Sequence, residues 1–216
     1  MNGRIVVVSA PSGSGKGTII GKFITLCKEK HNNAGPGVSS SVSYTSRSPR
    51  RGESEGVHYY FVTKNIFQYM IANDEFVEWD LYQGDYYGTS KEKTEHIIKS
   101  GADIVFDITI NGAYAIRRHF QNAVLVYLLP PSFEELERRL RARGTETEDK
   151  IIGRLTEARK EIMSIDKFDY YIINTDVSEA ADRLYSILTA EKCRIQSADK
   201  QTLIDQIVHD KLDARR

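Results

Sequence analysis

Cysteine is scarce in this sequence. Cys27 and Cys193 stand far apart, with no spacing that suggests a metal site or a disulfide framework, and such usage suits a reducing cytosol. No apolar run approaches the ~20 residues needed to cross a bilayer. The first such run is too short for a secretory leader and leads straight into a glycine-rich turn. Net charge is also missing: 30 lysines and arginines balance 30 aspartates and glutamates over 216 residues. That balance argues against a nucleic-acid or anionic-membrane partner. The expectation is a cytoplasmic protein with no membrane and no nucleic-acid partner. Its length suits one substantial α/β domain with small inserted lobes, or at a stretch two domains.

What is present is concentrated near the start. The β-branched run Ile5-Val6-Val7-Val8-Ser9 reads as a buried strand and feeds Ala10-Pro11-Ser12-Gly13-Ser14-Gly15-Lys16-Gly17-Thr18. Small residues let the backbone curl so that successive N–H groups point inward, and a helix beginning near Lys16 adds its positive dipole end. The lysine places a mobile cation over bound phosphates, as in a P-loop. The match is imperfect at two positions. Ala10 replaces the first glycine of the pattern, and Gly17 stands where Ser or Thr normally holds Mg²⁺, with Thr18 one place later.

Four largely continuous apolar runs, Ile5 to Val8, Ile104 to Ile108, Val124 to Leu129 and Tyr170 to Asn174, read as strands covered on both faces. Helical patterns lie between them at Gly17 to Lys30, Asn111 to Phe120, Ser132 to Arg143 and Ser178 to Glu191. The alternation predicts a doubly wound α/β parallel-sheet core with ligands at the carboxyl ends of the strands. The core is expected over residues 1–37, 94–131 and 164–194 of a 1–194 domain. A mixed β/α lobe at 38–93, with a helix near Asn65 to Ala72, and an arginine-studded helical lid at 132–163 interrupt it. Gly35-Pro36-Gly37 makes a hinge into the lobe. Residues 195–216 form a tail whose Leu203, Ile204, Ile207, Val208 and Leu212 give one apolar helical stripe, packing on its own chain or on a second subunit. Monomer and homodimer both stay open.

In the inserted lobe, Arg47 and Arg50 flank a proline-directed turn and can converge on one phosphate. They sit in Ser41-Val42-Ser43-Tyr44-Thr45-Ser46-Arg47-Ser48-Pro49-Arg50-Arg51-Gly52-Glu53. Gly56-Val57-His58-Tyr59, Phe76-Val77-Glu78-Trp79 and Gly84-Asp85-Tyr86-Tyr87-Gly88-Thr89 follow in order. In this ordered set, from the first strand to about Glu191, the chain resembles the guanylate kinases, P-loop enzymes that phosphorylate GMP with ATP.

The resemblance implies roles. Glu78 matches the carboxylate that reads guanine, whose N1–H and 2-amino group are adjacent donors; adenine would leave that carboxylate unpaired. Ser43 and Thr89 match hydroxyls that contact the base, and Arg47, Arg50, Tyr59 and Tyr87 match the cluster holding the phosphate of GMP. Ser12, Gly13, Ser14, Gly15, Lys16, Gly17 and Thr18 would cradle ATP. Arg139, Arg143 and Arg154 match lid arginines that act with Lys16 on the transferring group. Asp107 falls where an acid would orient Mg²⁺ waters or contact the nucleotide. Arg138, Arg141 and Arg159 read as solvated helix charge, and His58 and His119 as structural, since the acceptor is already an anionic phosphate oxygen.

Two departures qualify the likeness. The family reads Asp-x-Asp-x-Gln-Gly where this chain has Asp107-Ile108-Thr109-Ile110-Asn111-Gly112, so a second aspartate and a glutamine are missing. Gly-Lys-Gly-Thr is instead the adenylate kinase form of the loop, which makes Thr18 a candidate for the Mg²⁺ shell and predicts altered metal geometry with activity retained. The competing readings are another nucleoside monophosphate or small-molecule kinase, and a non-catalytic guanylate-kinase-like binding module.

Overall fold

A computed structural model describes residues 2–30, 37–82, 84–142, 144, 147–194, 204–205 and 207. The strands β1 (Ile5–Ser9), β2 (Val38–Ser40), β7 (Asp103–Asp107), β8 (Val124–Leu129) and β9 (Tyr170–Ile173) form one sheet in the order β2-β7-β1-β8-β9. Every pairing in it is parallel. Burial on both faces explains the unbroken valine runs. Val6, Val8, Val105 and Val126 pack under helices α1 (Lys16–Lys30) and α7 (Val177–Lys192), while Ile5, Val7, Phe106 and Leu125 pack under α4 (Ile110–His119). β1 lies between β7 and β8, so the strand order reverses at its carboxyl end, where such sheets open a crevice.

The inserted lobe holds β3 (Tyr44–Thr45), β4 (Tyr60–Phe61), α2 (Lys64–Ala72), β5 (Phe76–Tyr82) and β6 (Asp85–Ser90). Its sheet runs β4-β3-β6-β5, with β3 parallel to β4 and antiparallel to β6. The expected boundary at residue 38 needs correction. Val38–Ser40 is the edge strand of the core sheet, beside Asp103 to Val105, and only from Tyr44 does the chain join the second sheet. Three residues with two serines carry too little apolar signal to betray a core strand.

A helix absent from the sequence reading, α3 (Lys91–Lys99), returns the chain to the core. Ser90 caps it by accepting from Lys93 N, and Ile97 and Ile98 reach the α4-side core. The lid hairpin is α5 (Phe133–Ala142) and α6 (Glu148–Ile162), closed by Leu136, Leu140, Ile151 and Ala158. Arg138 and Arg141 pair with acids of the hairpin, as solvated helix charge should. Of the tail stripe, Ile204 and Ile207 are exposed; Leu203, Val208 and Leu212 lie outside the described residues, as do Gly35 and Pro36. Among the described residues no helix is long and apolar enough to cross a membrane.

Candidate active site

The phosphate loop follows β1 directly. Ser14 N donates to Pro11 O at 3.1 Å, and Gly13 and Gly15 take φ of +96° and +84°, a region closed to most side chains. The loop is gripped from two directions. Asn174, buried at the end of β9, donates from Nδ2 to Ser14 O at 2.7 Å. Leu140 of α5 stands so close that a Cβ on Gly13 would come within 3.0 Å of it. The Ser14 hydroxyl is buried there with no hydrogen-bond partner, a spare donor inside the loop. Lys16 Nζ donates to Ile108 O at 2.9 Å and pairs with Asp107 Oδ1 at 2.8 Å, which ties the loop to the end of β7.

In the lobe, Glu78 is only 6% exposed. Its Oε1 accepts from Thr89 Oγ1 at 2.7 Å, and that hydroxyl lies 3.1 Å from Ser43 Oγ. A Cβ on Gly112, in the first turn of α4, would come within 3.0 Å of Glu78 Oε2, so the glycine makes room for the carboxylate. Burial pushes Glu78 up to about 7, with Thr89 opposing and the nearby charge of Asp80 adding to the rise.

Arg47 is held by Glu53, donating to its two oxygens at 2.8 and 3.0 Å, and Arg50 N donates to the same carboxylate at 2.7 Å. The Arg47–Glu53 side-chain bond, more than anything else, raises the guanidinium's affinity for its proton and holds Glu53 below the usual carboxylate range. Arg47 also lies over the Tyr59 ring, 5.5 Å from its centroid, and Tyr59 meets Tyr87 edge-on at 5.9 Å. Tyr59 is raised by desolvation and then by the charge of Asp107.

These groups open into one cavity of about 340 Å³. Lys16, Ser43, Arg47, Arg50, Tyr59, Glu78, Tyr87, Asp107 and Arg154 all line it, and Thr89 supports its floor through Glu78. Arg154 reaches down from α6 and donates to Ser12 Oγ at 2.6 Å, bringing the lid onto the phosphate loop. A larger space of about 1300 Å³ adjoins it, between Asp80, Thr109 and Asn111 on one side and Lys150, Arg154, Glu157 and Glu161 on the other. Burial, with the charge of Glu157 one turn away, pushes Glu161 up to about 7, while Lys16 counteracts.

Some expected residues stand apart. Arg139 bonds Glu135 Oε1 at 2.8 Å and Asn174 O at 3.2 Å, one residue removed from the loop. Thr18 is exposed on the first turn of α1 and lines neither space, and Arg143 lies outside the described residues. Glu53 was visible in its motif but carried no role until its pairing with Arg47 appeared. Asp80 went unseen, although its position two residues after Glu78 on a strand is itself a signal.

A family model described as guanylate kinase matches residues 2–191. The chain belongs to the guanylate kinase family. A guanylate kinase of Desulfitobacterium hafniense is 42% identical over 195 residues, covering 90% of this chain and 94% of that one. One from Carboxydothermus hydrogenoformans is 42% identical over 205 residues, covering 94% and 96%. The crystal structure of guanylate kinase from Anaplasma phagocytophilum superposes with a TM-score of 0.73 at 30% identity, covering 95% of each chain. The family's parallel core and second mixed sheet are those described above.

Proposed function

We propose that the cleft divides the two substrates of ATP-dependent GMP phosphorylation between its walls, with the phosphate loop taking ATP and the inserted lobe taking GMP. The reaction is that of a guanylate kinase: the γ-phosphoryl group of ATP passes to a phosphate oxygen of GMP, giving ADP and GDP. The observation that carries the residue assignment is that Lys16 and Glu78 line one cavity, with Arg47, Arg50 and Arg154 around it. Only a ligand with a donor-rich base at one end and a phosphate at the other answers both Glu78 and the arginines.

Binding begins with charge and donor matching. Ionised Glu78 accepts N1–H and a 2-amino hydrogen of guanine, while Ser43 and Thr89 face the same ring. Arg47, aligned by Glu53, takes the GMP phosphate with Arg50, Tyr59 and Tyr87. Across the cavity, the backbone N–H groups of residues 12–18 and the Lys16 ammonium take the ATP phosphates. The acceptor oxygen is already anionic, so no general base is needed. Catalysis rests on alignment and on cations that meet the charge of the transferring group. Arg154, anchored on Ser12, and Arg139, next to the loop through Asn174, are the lid's contribution. Closure of that lid excludes water, which would otherwise accept the phosphoryl group.

Mg²⁺ enters this reading with ATP, and the residues present fit it loosely. Gly17 offers no oxygen and Thr18 is exposed, but the Asp107 carboxylate lies beside Lys16 with an oxygen 3.8 Å from where a Gly17 Cβ would be. Asp107 would hold the ion through its waters, and the ion would neutralise phosphate charge. dGMP belongs among the acceptors.

The test compares ADP formation with GMP, dGMP, IMP and AMP as acceptors, in the wild type and in Lys16→Ala. GMP and dGMP should be the fast acceptors. Lys16→Ala should abolish transfer while GMP binding persists. Comparable turnover with AMP would remove Glu78 from its role, and loss of GMP binding in Lys16→Ala would refute the division between the walls.

A further inference from the structure

Glu78, Asp80 and Tyr82 are alternate residues of β5, and all three line the acceptor cavity, as side chains two apart on a strand share a face. Two carboxylates therefore stand on one wall. Glu78 is the deeper, and Asp80 lies half-buried one step toward the larger space. Asp80 is not a loosely solvated edge acid: its Oδ1 accepts from Leu81 N at 2.8 Å and its Oδ2 from Thr109 Oγ1 at 3.1 Å. It thus reaches from the lobe to the first residues of α4 and is fixed from both sides. Thr109 is the position at which this chain lacks an aspartate that its family pattern carries. The charge missing from one wall of the cavity is present on the opposite one.

Two neighbouring carboxylates repel, and the charge of Asp80 makes Glu78 harder to ionise. The arrangement becomes favourable only with an occupant that brings more donors than one carboxylate uses. Guanine brings three hydrogens along one edge, N1–H and both hydrogens of the 2-amino group. Glu78 can take N1–H and the nearer amino hydrogen. The remaining amino hydrogen would be left without a protein acceptor, a costly loss wherever the bound base shields it from water. Asp80 is the only other carboxylate on that strand face. We propose that Asp80 is a second base-reading carboxylate, accepting the outer hydrogen of the guanine 2-amino group and so selecting guanine over hypoxanthine. The proposal rests on the reading that Glu78 receives the guanine edge.

The test measures binding of GMP, IMP and dGMP by calorimetry, alongside turnover, for the wild type, Asp80→Ala and the double variant Asp80→Ala/Thr109→Asp. IMP lacks only the 2-amino group, and dGMP lacks only the ribose 2′-hydroxyl. Thr109 caps α4 by accepting from Gly112 N at 3.2 Å, and aspartate is an equally good cap, so the double variant keeps the helix start. Asp80→Ala should weaken GMP binding roughly ten- to a hundredfold, the effect of losing a charged hydrogen bond. IMP binding should change by less than about threefold, and the dGMP to GMP ratio should stay constant. The double variant should recover most of the preference for GMP over IMP. Equal losses for GMP and IMP would mean that Asp80 merely braces Thr109 and would overturn the proposal. A changed dGMP to GMP ratio would move Asp80 to the ribose and overturn it equally. The underlying reading fails separately, if Glu78→Gln leaves the preference for GMP over AMP intact.

Discussion

Replacing Glu78 by glutamine should make the protein more stable with rising pH relative to the wild type while destroying its selectivity. Glu78 is buried, and its affinity for a proton is raised from an ordinary value of 4.5 to about 7, chiefly by desolvation. Between those values the folded chain holds a proton that the unfolded chain releases. Folding stability therefore falls as pH rises through this window and is level above it. At ~1.4 kcal/mol per pH unit, the window from 4.5 to about 7 amounts to about 3 kcal/mol. Glutamine titrates nowhere, so the wild type alone carries this slope. The variant's buried amide leaves a donor without an acceptor at a cost of about 1–3 kcal/mol, which offsets the two curves without changing their divergence. For a domain of this size, ~3 kcal/mol corresponds to roughly 6–12 °C in Tm. Thermal unfolding of both proteins from pH 4.5 to 8.5 checks this, and a Tm difference that stays constant over the range would refute it. The same proton links to the ligand. On the proposed reading GMP donates to the ionised form, so its affinity should fall up to about tenfold per pH unit below about 7 in the wild type. In the variant it should fall only through the ligand's own phosphate, which takes up a proton near a pH of about 6.

Three further substitutions probe other parts of the site. Gly17→Ser places its Cβ in ordinary contact with Asp107, at 3.8 Å, and adds the oxygen that the loop lacks; it should fold normally and reach half-maximal rate at lower Mg²⁺, read by metal titration of ADP formation. Leu140→Ala removes a buried side chain that packs within the lid hairpin and against the loop; a loss of about 2–5 kcal/mol in denaturant unfolding, with a raised KM for ATP and little change for GMP, is expected. Glu53→Gln keeps the shape but removes the charge that aligns Arg47; the KM for GMP should rise several-fold with Tm nearly unchanged, and an equal rise for ATP would contradict the assignment.

The parts legible in the sequence were those where one local rule decides the outcome. Valine runs buried on both faces could only be central parallel strands, and the loop after β1 announced itself because phosphate binding needs small residues before a lysine. The parts that stayed hidden depend on who stands opposite. Val38–Ser40 becomes a core strand only because Asp103 to Val105 offers it an open edge, and nothing in Val-Ser-Ser records that partner. Glu53 acquires meaning from Arg47, and Asn174 from Ser14, 160 residues away. Asp80 is the instructive case. Judged position by position along the helix start, Thr109 looks like a lost acid. Judged in space, the cavity keeps a carboxylate 3.1 Å from that threonine, supplied by the facing strand. A binding site selects for charge at a place, and any backbone segment that borders the place can supply it. A motif comparison counts such an exchange as a loss, whereas a ligand meeting the cavity would find the acid still there.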